Sequence, residues 1–122
     1  MTESKEDYLE TLLILEKKHP DSVRSVDIAQ KIGYSKASVS KAMSYLKEEE
    51  CVYVDERGFL HLTEKGRKTA EKVYERHVTF KRFFKEFCHI SDEVAENDAC
   101  RVEHVVSEET YQGIKKLLVQ GV

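Results

Sequence analysis

Three side chains in the C-terminal third have the types and spacing of a ligand set. Cys100, Glu103 and His104 stand at i, i+3 and i+4, which in a helix places them on one face. A thiolate, a carboxylate and an imidazole together are donors for a transition metal. Near the start, Asp7 and Glu10 stand at i and i+3, so two carboxylates share a face of the first helix. His77 falls near the end of a long helical pattern. Each residue also has a plainer reading, as a surface polar group or, for Cys100, as a small buried hydrophobe. The triplet by itself leaves both readings open.

A second chemistry lies in the charge distribution. Residues 31–47 contain Lys31, Lys36, Lys41 and Lys47 and no acid, whereas residues 91–110 contain seven acids against Arg101 alone. The whole chain carries 20 Lys+Arg and 23 Asp+Glu, a formal net charge of −3. A basic segment suits phosphate and an acidic one suits cations, although both also occur as ordinary solvated faces.

The elements that must position these groups are mostly helices. Tyr8, Leu9, Leu12, Leu13 and Leu15 recur at helical spacing and predict a helix over 4–18. His19-Pro20-Asp21-Ser22 breaks it. Ser25 is read as the cap of a second helix with Val26, Ile28, Ala29 and Ile32 inward, ended by Gly33. Ser35 caps a third over about 35–49, with Val39, Ala42, Met43 and Leu46 as its inner stripe. The small Ala29, the Gly33 turn and the Val39 plug have the form of a helix-turn-helix. Its exposed face offers short polar donors and long cations to base edges and phosphates. A helical hairpin with a polar outer face is also common in all-α proteins that bind no DNA.

The next segment extends the motif. Cys51-Val52-Tyr53-Val54 and Phe59-Leu60-His61-Leu62 read as two strands around the turn Asp55-Glu56-Arg57-Gly58. A helix-turn-helix followed at once by a hairpin is a winged helix, and Arg57 at the wing tip can reach a phosphate or the minor groove. The candidate DNA-contacting set is Arg24, Ser35, Lys36, Ala37, Ser38, Ser40, Lys41 and Arg57. From Thr63 a long helix runs through His77 and continues or kinks into Phe80, Phe83, Phe84 and Phe87. Ser91 starts a helix carried through Cys100, His104 and Val105, and Ser107 starts the last, with Tyr111, Ile114, Leu117 and Leu118 inward. The aromatic cluster is heavy for so small a second half and reads as core plus a homodimer interface. The expected architecture is mainly α: a winged-helix DNA-binding domain over 1–72 and a helical metal-binding and dimerisation domain over 73–122.

The 122 residues, 40% hydrophobic and 35% charged, supply a modest core but not a large enzyme with a deep pocket. No apolar run approaches the roughly 20 residues of a membrane span. The polar, acidic start is no secretory signal. Cys51, Cys88 and Cys100 are three scattered cysteines, so a reducing cytoplasm is expected rather than a disulfide framework.

The segment Asp98-Ala99-Cys100-Arg101-Val102-Glu103-His104-Val105-Val106-Ser107 closely resembles the metal-binding helix of the iron-dependent repressor family. That family is the diphtheria-toxin-repressor and manganese-transport-regulator group. Glu6-Asp7-Tyr8-Leu9-Glu10 looks like its first helix. Asp27-Ile28-Ala29, Ser38-Val39-Ser40 and Leu62-Thr63-Glu64-Lys65-Gly66 fit its winged helix, and His77 matches its histidine after the wing. The resemblance spans nearly the whole chain.

It implies a homodimeric, cytoplasmic repressor of metal-uptake genes that is not an enzyme and binds a pseudo-palindromic operator. The implied ligands are Asp7, Glu10, His77, Cys100, Glu103 and His104, holding one or two divalent ions per subunit between the winged helix and the dimerisation helices. The chain mixes two signatures. Asp7 matches the manganese branch and Cys100 the iron branch. Lys81 and Glu96 stand where iron-type members place an acid and a histidine for an ancillary site, so that site is not expected in iron-type form. A second ion on Glu10, His77 and Glu103 is closer to the manganese pattern. Thiolate favours Fe²⁺ over the harder Mn²⁺, while Zn²⁺, Co²⁺ or Ni²⁺ can substitute in vitro. Longer members add an SH3-like third domain, which is not expected here. Two other readings are a winged-helix regulator that answers to an organic ligand or to Cys100 oxidation, and a zinc enzyme built on the same donors.

Overall fold

The computed structural model describes residues 3–120. In order they form α1 (Glu3–Lys18), α2 (Ser25–Ile32), α3 (Lys36–Glu48), β1 (Val52–Val54), β2 (Leu60–Leu62), α4 (Glu64–Cys88), α5 (Asp92–Val102) and α6 (Glu108–Gln120). The chain divides into two compact units, Met1–Glu71 and Lys72–Val122. The division falls inside α4.

In the first unit, α1 packs on α2, α3 and β2 and buries Tyr8, Leu9, Leu12 and Leu13. The chain leaves α1 through His19, whose N–H still reaches the Leu15 carbonyl at 2.8 Å. Asp21 follows in the left-handed region at φ 64. The cap of α2 lies one residue earlier than the sequence led us to expect. Arg24 is the extended N-cap, and Ser25 is the first helical residue. The reason is Asp27, whose carboxylate accepts the Arg24 N–H at 2.8 Å and satisfies a donor at the helix start. At the other end Gly33 adopts φ 82, and its N–H donates to Ala29 at 2.9 Å. That backbone favours glycine. Ser35 caps α3 as expected, accepting the Ser38 N–H at 3.1 Å. Val39, Met43 and Leu46 are the buried stripe of α3, with Ala42 half-buried.

The wing is an antiparallel hairpin in the register Val52↔Leu62, Tyr53↔His61 and Val54↔Leu60. Both strands are one residue shorter than expected. Cys51 is held by other partners: its N–H donates to Leu46 at 2.9 Å, and its carbonyl accepts Thr63 N–H at 3.0 Å. Phe59 belongs to the turn. Asp55 Oδ1 accepts the N–H groups of Arg57 at 2.9 Å and Phe59 at 3.0 Å, while Oδ2 meets His61 Nε2 at 2.8 Å. One carboxylate thus closes the loop and ties it to β2.

Thr63 Oγ1 accepts Gly66 N–H at 3.0 Å and donates to Glu50 at 2.6 Å. This anchors α4 against the end of α3. A Cβ at Gly66 would lie 1.9 Å from the Cys51 carbonyl oxygen, so the first turn of α4 requires a glycine. From that first turn onward α4 is uninterrupted, 25 residues in all, because no proline breaks its hydrogen-bond ladder.

The second unit is built on Phe80, Ala99 and Tyr111, with Phe84, Val102, Val106 and Ile114 packed around them. Arg76 donates to the Val106 carbonyl, and Tyr111 donates to Glu75 at 2.9 Å. Helix α5 ends at Val102, so the expectation of a helix through His104 and Val105 is corrected. Ser107 Oγ must cap α6 by accepting Thr110 N–H at 3.1 Å. The chain therefore turns first, with Val105 and Val106 N–H both directed to the Val102 carbonyl, at 3.0 and 3.2 Å. Among the described residues no helix is long and apolar enough to cross a membrane.

Two outcomes follow from these contacts. Gly66→Ala should destabilise the protein by about 2–3 kcal/mol, since a backbone carbonyl cannot yield as a side chain does; a denaturation midpoint equal to wild type would contradict the close approach. Hydrogen bonding to His61, then to the turn amides, lowers the Asp55 carboxyl from 3.8 to about 2. The stabilisation it brings is complete above pH 3.8 and is lost as pH falls through about 2. A carboxyl NMR titration of Asp55 should find its midpoint near the lower value, and an ordinary midpoint would contradict the turn.

Candidate metal centre

Helix α5 turns Ala95 and Ala99 inward, and the small Ala99 packs in the core with Phe80 and Tyr111. The neighbouring stripe carries Glu96 and Cys100, four residues apart, and continues to Glu103 at the helix end. On α4, the buried His77 lies one turn before the core residue Phe80. Packing of the apolar faces therefore brings one stripe of α5 against His77.

Both ring nitrogens of His77 meet acceptors. Nδ1 lies 2.8 Å from Glu103 Oε2 and 3.7 Å from Cys100 Sγ. Nε2 lies 2.8 and 3.0 Å from the two oxygens of Glu96. Acceptors on both sides favour the imidazolium, which donates from each nitrogen. The contact with the Cys100 sulfur, then that with Glu103, pushes His77 up to about 11 against the opposing effect of burial.

Glu103 is 2% exposed. Its Oε1 makes no hydrogen bond, although His104 Nε2 stands 3.2 Å away. A buried carboxylate oxygen short of a donor is an atom that a cation would satisfy. Together with imidazole and thiol donors, it makes the residues present a fitting set for a divalent transition metal.

Of the residues singled out in the sequence, His77, Cys100, Glu103 and His104 are thus assembled in the second unit. They do so differently from the expectation of a single helical face. Cys100 is on α5, Glu103 is its C-cap, and His104 lies in the following turn with its side chain buried. Cys100 is exposed, which removes the reading of a small buried hydrophobe. Asp7 and Glu10 lie on α1 of the first unit, half-buried and buried respectively. Glu96 was not among the ligands proposed from sequence. Its only local signal is the i, i+4 spacing to Cys100, on a helix already rich in acids.

The candidate DNA face is in the first unit. Ser35, Lys36, Ala37, Ser38, Ser40 and Lys41 are all exposed in the first turns of α3 or at its cap. Ser35 Oγ also donates to Ser38 Oγ at 2.9 Å. Arg24 and Arg57, far apart in sequence, both lie over the ring of Phe59, at 4.8 and 5.4 Å from its centre. The turn closed by Asp55 thus sets a pair of guanidinium groups beside the wing.

Comparison with known proteins matches residues 1–60 to the iron dependent repressor N-terminal DNA binding domain. Residues 63–120 match the iron dependent repressor metal binding and dimerisation domain. The chain is 36% identical over 109 residues to the HTH-type transcriptional regulator MntR of Geobacillus kaustophilus, covering 87% of this chain and 74% of that one. It is 30% identical over 118 residues to the iron-dependent repressor IdeR of Mycobacterium tuberculosis, covering 97% of this chain and 51% of IdeR. The chain therefore spans about half the length of that relative. Among solved structures, a manganese-dependent transcriptional repressor in complex with manganese superposes with a TM-score of 0.87 at 25% identity, over 93% of this chain and 52% of that one. With its winged-helix unit and its helical unit each matched in order, the chain belongs to the iron-dependent repressor family.

Proposed function

We propose that this chain is a cytoplasmic, homodimeric repressor that binds a pseudo-palindromic operator when loaded with a divalent transition metal and so controls metal-uptake genes. Fe²⁺ is its first-choice ion and Mn²⁺ the next. The observation that carries this reading is the convergence of His77, Cys100, Glu103 and His104 in the unit matched as metal binding and dimerisation. Asp7 and Glu10 complete the proposed ligand set from the DNA-binding unit, for one or two ions per subunit. An ion bound by ligands from both units makes the pose of the reading head depend on metal, and a two-fold dimer must match half-sites about one helical turn apart. The ion supplies positive charge to a site of carboxylates in a chain of net charge −3, which otherwise disfavours DNA.

The choice of ion rests on donor chemistry. Cys100 supplies a soft thiolate, which favours Fe²⁺ over Mn²⁺. Asp7, Glu10 and Glu103 are hard donors that both ions accept, and the similarity to a manganese-dependent transcriptional repressor gives the Mn²⁺ alternative its support. Zn²⁺, Co²⁺ and Ni²⁺ should bind in vitro.

Binding to DNA upstream of a metal-transporter gene should require Fe²⁺ or Mn²⁺ and be lost with chelator in a gel-shift assay. Equal binding with and without metal would sink the proposal. His104→Ala should weaken metal binding by at least about tenfold and abolish metal-dependent DNA binding while leaving the dimer intact. An unchanged metal affinity would remove His104 from the site. Because His77 is held protonated up to about 11, a cation that takes this imidazole must displace a proton. Metal affinity should therefore rise roughly tenfold per pH unit across the neutral range. Calorimetric titrations showing no dependence on pH would exclude His77 as a ligand. Lys41→Ala should weaken operator binding and lower the salt slope by about 1 if it contacts a phosphate. A loss confined to particular operator sequences would assign it to a base edge instead.

A further inference from the structure

Beside the buried Glu103 a further donor, Glu96, joins His77 and Cys100 of the proposed ligand set. His77, Glu96 and Cys100 each offer a ligand atom, and these atoms lie within 4.8 Å of one another. Glu96 is half-buried and Cys100 is exposed, so the group is open to an ion from solvent. A fixed positive charge already stands there. Lys81 lies four residues after His77 on α4 and therefore on the same face. Its Nζ is 3.5 Å from Glu96 Oε2 and 3.5 Å from Asp92 Oδ1. Glu96 Oε2 is also the oxygen that His77 Nε2 meets at 2.8 Å. One carboxylate oxygen thus serves two cationic groups.

We infer that Lys81 is a built-in cation that holds Glu96 and so weakens the uptake of a metal ion by the His77–Glu96–Cys100 group. The inference rests on the proposed reading of the chain as a metal sensor. Lys81 acts in two ways with the same sign. It occupies an oxygen that an ion would need, and its charge repels a dication a few ångströms away. With water-like screening at a partly exposed site, that repulsion weakens binding on the order of tenfold. Lys81 is a positioning residue rather than a ligand, since an ammonium group has no lone pair to give. The number of ions the protein holds then depends on a residue outside the ligand set.

Lys85 provides the internal control. It also sits on α4 but pairs with Asp92, at 2.9 Å. Wild type, Lys81→Met, Lys81→Arg and Lys85→Met would each be dialysed against a Co²⁺ series, with bound cobalt measured and the thiolate-to-cobalt charge-transfer band followed. The weakest binding step should tighten about tenfold or more in Lys81→Met, with a stronger charge-transfer band from Cys100. Lys81→Arg and Lys85→Met should follow wild type. Coincident isotherms for Lys81→Met and a cobalt-binding wild type would overturn the inference alone, as would an equal gain in Lys85→Met. A wild type and a Lys81→Met variant that both take up no Co²⁺ would instead overturn the metal-sensing reading on which it rests.

Discussion

A carboxylate withdrawn from water is stable only if positive charge comes with it, and Glu103 imposes that requirement on the second unit. Its side chain is buried, and one oxygen accepts from His77 while the other makes no hydrogen bond. Burying a carboxylate costs several kcal/mol unless a partner offsets the loss of hydration. The imidazolium of His77 offsets part of it. His77 in turn needs acceptors at both nitrogens, and Glu103, Cys100 and Glu96 supply them. Apolar packing aligns the parts. With Ala99 and Phe80 together in the core, the adjacent stripe of α5 has little freedom to face anything but His77.

The same economy operates in the wing. Asp55 closes the turn with two backbone amides and joins it to His61. The aromatic ring placed by that turn, Phe59, lies beneath Arg24 and Arg57. A single turn carboxylate can therefore decide where two guanidinium groups stand. Local hydrogen bonding, not the strands themselves, orders this end of the hairpin, whose strands are only three residues each.

Much of this architecture was legible in the sequence where one local rule dominates. Gly33 ends α2 because a left-handed residue is needed there, and Ser35 caps α3 through its own hydroxyl. The winged helix followed from such signals in order. The cap of α2 was displaced by one residue because Asp27 bonds back to the Arg24 amide, a reciprocal contact that outweighs the bare preference for serine. The end of α5 was also hidden. The spacing of Cys100, Glu103 and His104 suits a continuing helix, yet the bonds that stop it converge on the Val102 carbonyl, ahead of a serine cap for α6. Charge and spacing alone did not separate Glu96 from its acidic neighbours; the family resemblance marked its position, and its contacts with His77 distinguish it from a solvated acid.

The mixture of donors has its own logic. A site made only of carboxylates would hold Mn²⁺ and Fe²⁺ with little distinction, and one rich in thiolates would favour Zn²⁺ at least as strongly as Fe²⁺. Cys100 alone among hard oxygen and imidazole donors places the proposed site between those limits. The thiol is also exposed, whereas Glu103 and the His104 side chain are buried. The soft donor thus lies toward solvent and the hard donor away from it. Discrimination between ions then depends on how far the buried carboxylate can be satisfied once the thiolate is engaged. A cation that binds sulfur well but leaves Glu103 poorly paired gains less than its thiol affinity alone would give, because the cost of burying that carboxylate is then only partly offset.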